Sequence, residues 1–186
     1  MIARALSRVA LGTALVVAGS GSCAPVPDNT RVTTILTPDY DAFAGNAMNA
    51  GVHTFLERRC GTLDCHGQVG RPFRLFSQNG LRANNDSGVV SGDQPDTPQE
   101  VYSNYLSAVG LQPEEMSRVV AGDDPVTDLL LVTKPTAMET HKGGQVISVG
   151  DTSYVCLTGW LMLLPAANAG ERAALAAVCN QAAMVP

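Results

Sequence analysis

The chain has 186 residues, of which 45% are hydrophobic, 16% charged and 5% aromatic. That is enough for one domain with a real core, and it excludes a disordered polymer. A formal charge of −5 without any cluster of Lys and Arg excludes a nucleic-acid binder, which needs such a cluster to displace counterions from phosphates.

At the start of the chain, Arg4 and Arg8 precede an apolar stretch from Val9 to Ala18 that closes on small residues, the pattern of an export signal over residues 1–22. The stretch is about half the length that spans a bilayer. Its end, Ser20-Gly21-Ser22-Cys23, resembles the lipobox of bacterial lipoproteins, with Ser20 where that family usually has Leu. The resemblance implies cleavage before Cys23 and a lipid on that cysteine. Losing residues 1–22 removes two arginines and no acid, leaving ten basic against seventeen acidic residues, a net −7. Four cysteines then remain, Cys60, Cys65, Cys156 and Cys179, an even number expected to be covalently occupied in an oxidising compartment.

After Cys23, the Pro-rich run Ala24-Pro25-Val26-Pro27-Asp28-Asn29-Thr30 has no apolar period and reads as a tether, in a flexible segment placed at 23–44. From Asp41 to Arg59 the pattern turns helical, with Met48, Val52, Phe55, Leu56 and Arg59 on one stripe leading to Cys60. Ser77–Pro98, rich in Gly and Asn, reads as surface loop. Helices are predicted over Thr97–Val109, with Asp96 or Thr97 as N-cap, and over Pro113–Val120. Asp124-Pro125 reads as a further helix start with Pro in the first turn. Asp151–Leu164 is a strongly apolar helix containing Trp160 and stopped by Pro165. Gly170–Ala183 is an Ala-rich terminal helix. Few strands are expected.

Chemistry concentrates in Cys60-Gly61-Thr62-Leu63-Asp64-Cys65-His66-Gly67. Two cysteines with a histidine directly after the second follow the logic of c-type haem attachment, in which both thiols form thioethers to the vinyl groups and the adjacent imidazole reaches iron. The spacer here is four residues where two is usual, so two must bulge outward, and Gly61 is expected to supply the backbone angles for it. Other chemistries fit less well. Cys65 and His66 are sequence neighbours that do not face one another as a nucleophile pair would. A zinc site from Cys60, Cys65, His66 and His141 has the right atoms, but adjacent Cys and His on one small ion is awkward. Asp123, Asp124 and Asp128 lack the loop of a calcium site and read as helix caps.

The segment Arg59-Cys60 through Cys65-His66-Gly67, then Val120-Ala121-Gly122-Asp123-Asp124-Pro125 with Asp128-Leu129-Leu130-Leu131, then Lys134-Pro135 with His141-Lys142-Gly143-Gly144, and finally Tyr154 to Trp160-Leu161, resembles the cytochrome c-like domains of exported bacterial proteins, the planctomycete and myxobacterial type. The likeness covers about Val52 to Leu164. It implies an all-α, cytochrome c-like helical domain with long loops over 45–165, followed by an extra C-terminal helix over 166–186. Phe55 and Trp160 would anchor the two core helices that cross, and both are expected to be buried.

On this reading Cys60 and Cys65 hold one covalent haem c and His66 is the proximal ligand. His141, in a Gly-rich loop where a histidine has little packing purpose, is the first candidate for the distal ligand. Met138 is the alternative, since thioethers also ligate such iron. Met116 and Met162 lie in helical patterns and read as core filler, His53 as a helix histidine. A Cys156–Cys179 disulfide would clamp the last two helices and stabilise by about 3 kcal/mol through loop closure. The expected function is a membrane-anchored electron carrier of the bacterial cell envelope, not an enzyme, facing the periplasm or cell surface and exchanging electrons with partner proteins. The alternative is a haem-free structural or interaction lipoprotein with disulfides 60–65 and 156–179.

Overall fold

A computed structural model describes residues 35–85, 88–164 and 166–185. The signal, Cys23 and the 24–30 tether lie outside these residues, as does Pro165. The chain is mostly helical: α1 (Tyr40–Ala44), α2 (Val52–Cys60), α3 (Pro98–Val109), α4 (Pro113–Ala121), α5 (Leu130–Thr133), α6 (Thr152–Leu161) and α7 (Ala169–Met184). A 3-10 turn over Val126–Asp128 precedes α5. The strands are two residues long, β1 (Asn84–Asn85) antiparallel to β2 (Gly88–Val89), with Asn84 opposite Val89. Among the described residues no helix is long and apolar enough to cross a membrane.

The single helix expected from Asp41 to Arg59 is two helices. Gly45 turns the chain with φ +70°, and the Asn46 side chain accepts hydrogen bonds from the Met48 and Asn49 amides, an arrangement that competes with helix. Met48 therefore leaves the apolar stripe and is 86% exposed. Within the span 23–44 expected to be a tether, Tyr40–Ala44 form α1, which Asp39 caps and which buries Phe43 completely.

Local capping rules place the other helices. Of the two expected cap candidates, Thr97 rather than Asp96 caps α3, in a reciprocal box with Glu100. Asp151 caps α6 by accepting from the Tyr154 amide at 2.7 Å. That helix ends at Leu161, short of the expected Leu164. Pro125 stands just before the 3-10 turn rather than inside a helix, and Asp124 pairs with Arg118 instead of capping. Gly122, with φ +80°, closes α4.

The core gathers Phe43, Phe55, Leu56, Leu157 and Trp160, all essentially without solvent exposure. Trp160 packs on Phe43 at 5.1 Å between ring centres and donates its indole N–H to the Asp39 carbonyl at 2.8 Å. The expected disulfide joins α6 to α7 through Cys156 and Cys179. Further ties fix α7 on α2 and on the turn before it: Arg58 donates to the Ala183 carbonyl at 2.6 Å, and the Ala50 amide donates to Asn180 Oδ1 at 2.6 Å.

Residues 77–98 are not simply surface. Ser77 and Arg82 are buried, and Arg82 forms a two-pronged pair with Glu100, both contacts 2.9 Å. Burial alone would raise Glu100, but hydrogen bonds from Arg82 and from the Thr97 and Ala83 amides outweigh it and bring its pKa to about 2.

Candidate functional site

The turn after α2 folds tightly on itself. The His66 amide donates to the Cys60 carbonyl at 2.9 Å, and the Cys65 and Gly67 amides both donate to Thr62. Gly61 has an ordinary φ of −81°, so its expected role in supplying unusual angles is corrected. What demands glycine is close approach: a Cβ on Gly61 would stand 2.5 Å from the Glu57 carbonyl oxygen and 2.7 Å from Ser77 Cβ, and one on Gly67 would stand 2.0 Å from the Gly61 oxygen.

This turn opens on a cavity of about 540 Å³, a volume ordinary for an organic cofactor or ligand. Cys60, Cys65 and His66 line it on one side and His141 on another, with Leu56, Leu111, Leu130, Leu131, Ile147 and Leu157 making an apolar wall. Cys60 and Cys65 are free thiols, so the 60–65 disulfide of the haem-free alternative is not formed. Burial, with the neighbouring Cys65 adding to it, pushes the Cys60 thiol up to about 12 and keeps it as S–H in the folded state.

Both histidines are oriented by backbone carbonyls. His66 donates its Nδ1–H to Phe73 O at 2.7 Å, and His141 donates its Nδ1–H to Gly144 O at 2.8 Å. In the neutral ring this leaves Nε2 as the nitrogen without hydrogen, and fixing one ring nitrogen on a carbonyl is how proteins aim the other at a metal. Burial lowers the pKa of His66, with His141 and Arg71 adding to the effect against the Phe73 hydrogen bond, so the ring is neutral at physiological pH. The two imidazoles are nearly parallel, 9° apart, with centroids 6.1 Å apart.

The loop carrying His141 is tied to α2 through the side chain just before the first cysteine. Arg59 donates to the Val146 carbonyl at 2.7 Å and to Ser153 Oγ at 3.3 Å. The Val146 and Ile147 amides both return to the Pro135 carbonyl. Thus α2, the Lys134-Pro135 corner and the His141 loop form one frame.

Cations surround the cavity in an otherwise acidic chain: Arg59, Arg71, Lys134 and Lys142 line it, against Asp64 alone. Arg71 Nε is buried without a hydrogen-bond partner, an orphan donor of the kind a bound carboxylate would satisfy. Arg71 escaped the sequence reading because nothing local marks it; only folding sets it at the cavity.

The other candidates fall elsewhere. Met138 is 53% exposed and does not line the cavity. Met116 is core on α4 as expected, whereas Met162 is exposed and is not the core filler expected. No three of Cys60, Cys65, His66 and His141 bring donor atoms within 4.8 Å of one another, which does not suit a single small ion such as zinc. Asp124 and Asp128 do approach Glu115, but Arg118 pairs with both Glu115 and Asp124 there.

His53 is buried away from the cavity, beside Glu57 and Asp96. Burial, then the hydrogen bond and charge of Asp96, push Glu57 up to about 8, against the lowering influence of Arg58 and Arg82. Between its ordinary 4.5 and 8 the folded chain holds a proton that the unfolded chain has released, so this group's stabilising contribution is lost as pH rises through that window. Glu57→Gln, which cannot ionise, is expected to flatten that slope and to gain on the order of a few kcal/mol over the wild type above pH 8. Denaturation midpoints measured across the window check this.

Compared with known proteins, the chain matches no family model, no curated protein and no solved structure.

Proposed function

We propose that this chain is a monohaem c-type cytochrome of the bacterial envelope, with a cytochrome c-like fold, that passes single electrons between partner proteins. The observation that carries the reading is the convergence of two free thiols, His66 and His141 on one apolar cavity. When bound, haem supplies one-electron chemistry at its iron. Cys60 and Cys65 would hold the haem covalently as thioethers, each thiol giving its S–H to one vinyl group, which needs no oxidant. His66 and His141 would hold the iron through ring nitrogens, and the apolar wall would keep water from it. Arg71 and the neighbouring cations suit the two propionate carboxylates.

Protein made with a c-type maturation system is expected to keep one haem on a denaturing gel. Cys60→Ser or Cys65→Ser should weaken that stain and the double change abolish it. A stain that persists in the double variant, or a colourless wild type, sinks the reading. The lipid on Cys23 belongs to the same proposal, and fractionation tests it: Cys23→Ser should move the protein from membranes to the soluble fraction, and a variant that stays membrane-bound refutes the anchor.

A further inference from the structure

His53, Glu57 and Asp96 come from two distant parts of the chain and are not used by the haem reading. Their side chains are 6%, 16% and 4% exposed. His53 Nε2 lies 3.2 Å from Asp96 Oδ2 and 3.8 Å from Glu57 Oε2, and one donor atom from each residue lies within 4.8 Å of the other two. Such a cluster alone says little, since buried acids often pair with a nearby arginine.

Here the arginine is already spent. Arg82 stands 3.7 Å from Asp96 Oδ1, but all five of its N–H groups go elsewhere: Nε and one NH2 hydrogen to Glu100, the other NH2 hydrogen to Pro95 O, and the NH1 pair to Ser91 O and Gln94 O. Nor does His53 satisfy Asp96: the two atoms stand 3.2 Å apart, yet both Asp96 oxygens are buried without a hydrogen-bond partner. A carboxylate this buried and this poorly served is costly unless something cationic completes it.

The spacing fits a metal ion. Ligand atoms at 2.0–2.1 Å from tetrahedral zinc lie about 3.3 Å apart, close to the 3.2 and 3.8 Å found, and near-contact without hydrogen-bond alignment is what atoms aimed at a common centre show. One imidazole nitrogen with two carboxylates favours a zinc-class ion over calcium or magnesium, which take oxygen alone. On the far side of the ring, Asn104 is held by the Phe76 backbone, and its Nδ2 lies 3.4 Å from His53 Nδ1. That is beyond the usual hydrogen-bond range of 2.7–3.2 Å, so the contact does not fix which ring nitrogen carries the hydrogen.

We infer that His53 Nε2 and the carboxylates of Glu57 and Asp96 form a binding site for one zinc-class divalent cation, outside the Cys60–His141 cavity. The inference does not depend on haem being present. Titration of chelator-stripped protein with Zn²⁺ is expected to show one site that Glu57→Gln and Asp96→Asn each weaken by about 100-fold or more, beyond the 10–100-fold typical of second-shell losses. Glu57→Gln is nearly isosteric with the native side chain, and circular dichroism checks that its fold stands. Co²⁺ in the same site should give visible bands without thiolate charge transfer. Absence of binding, equal affinity in both variants, or a thiolate band showing the ion on Cys60 or Cys65 would overturn the inference.

Discussion

His141→Ala, in haem-loaded protein, is expected to convert a six-coordinate low-spin iron into a high-spin one that binds carbon monoxide readily. The reason is local: His141 has its Nδ1 committed to Gly144, its ring parallel to His66, and a place on the cavity wall. Met138→Ala should leave the spin state almost unchanged, because that thioether is exposed and off the cavity. The oxidised wild type should also lack the weak far-red band of sulfur ligation, and its potential should be low, since imidazole favours ferric iron more than a thioether does. If Met138→Ala alone opens the iron, the assignment reverses and His141 becomes an ordinary loop residue.

Trp160→Ala should cost about 3–5 kcal/mol, a large share of the 5–15 kcal/mol that holds a typical domain together. The indole is fully buried, touches Phe43 and Tyr105, and reaches across to Asp39 at the foot of α1. Asp39 O keeps the Phe43 amide as a partner, so the loss comes chiefly from the cavity left behind. Trp160→Phe, which keeps most of the apolar volume, should lose far less. Equilibrium denaturation measures both, and a loss under about 1 kcal/mol for the alanine variant would contradict the placement of Trp160 at the centre of the core.

The Thr97 cap was one of two candidates in the sequence, and it is legible because it is local: Thr97 and Glu100 sit three residues apart and need nothing else to meet. Asp124, read as a cap, pairs with Arg118 instead. The break at Gly45–Gly51 was harder, since an apolar stripe counts positions and takes no account of the Asn46 side chain drawing amides away from the helix. Residues 77–98 carry no periodicity, so the Arg82–Glu100 pair inside them, across 18 positions, emerges only in three dimensions. The same holds at the cavity. Cys60, Cys65 and His66 announce themselves by adjacency, whereas the Arg59 bond to Val146 that ties the His141 loop to α2 spans 87 positions, and Arg71 has no local pattern at all.

The most direct test of the haem assignment is the mass of one peptide. Trypsin cuts after Arg59 and Arg74 but not at Arg71, which Pro72 protects, so it releases Cys60–Arg74 with both thiols and His66 together. From denatured protein made with a c-type maturation system, the expected peptide carries one haem and has no thiol left to alkylate. An unmodified peptide, whether with two alkylatable thiols or with a Cys60–Cys65 disulfide, would contradict it.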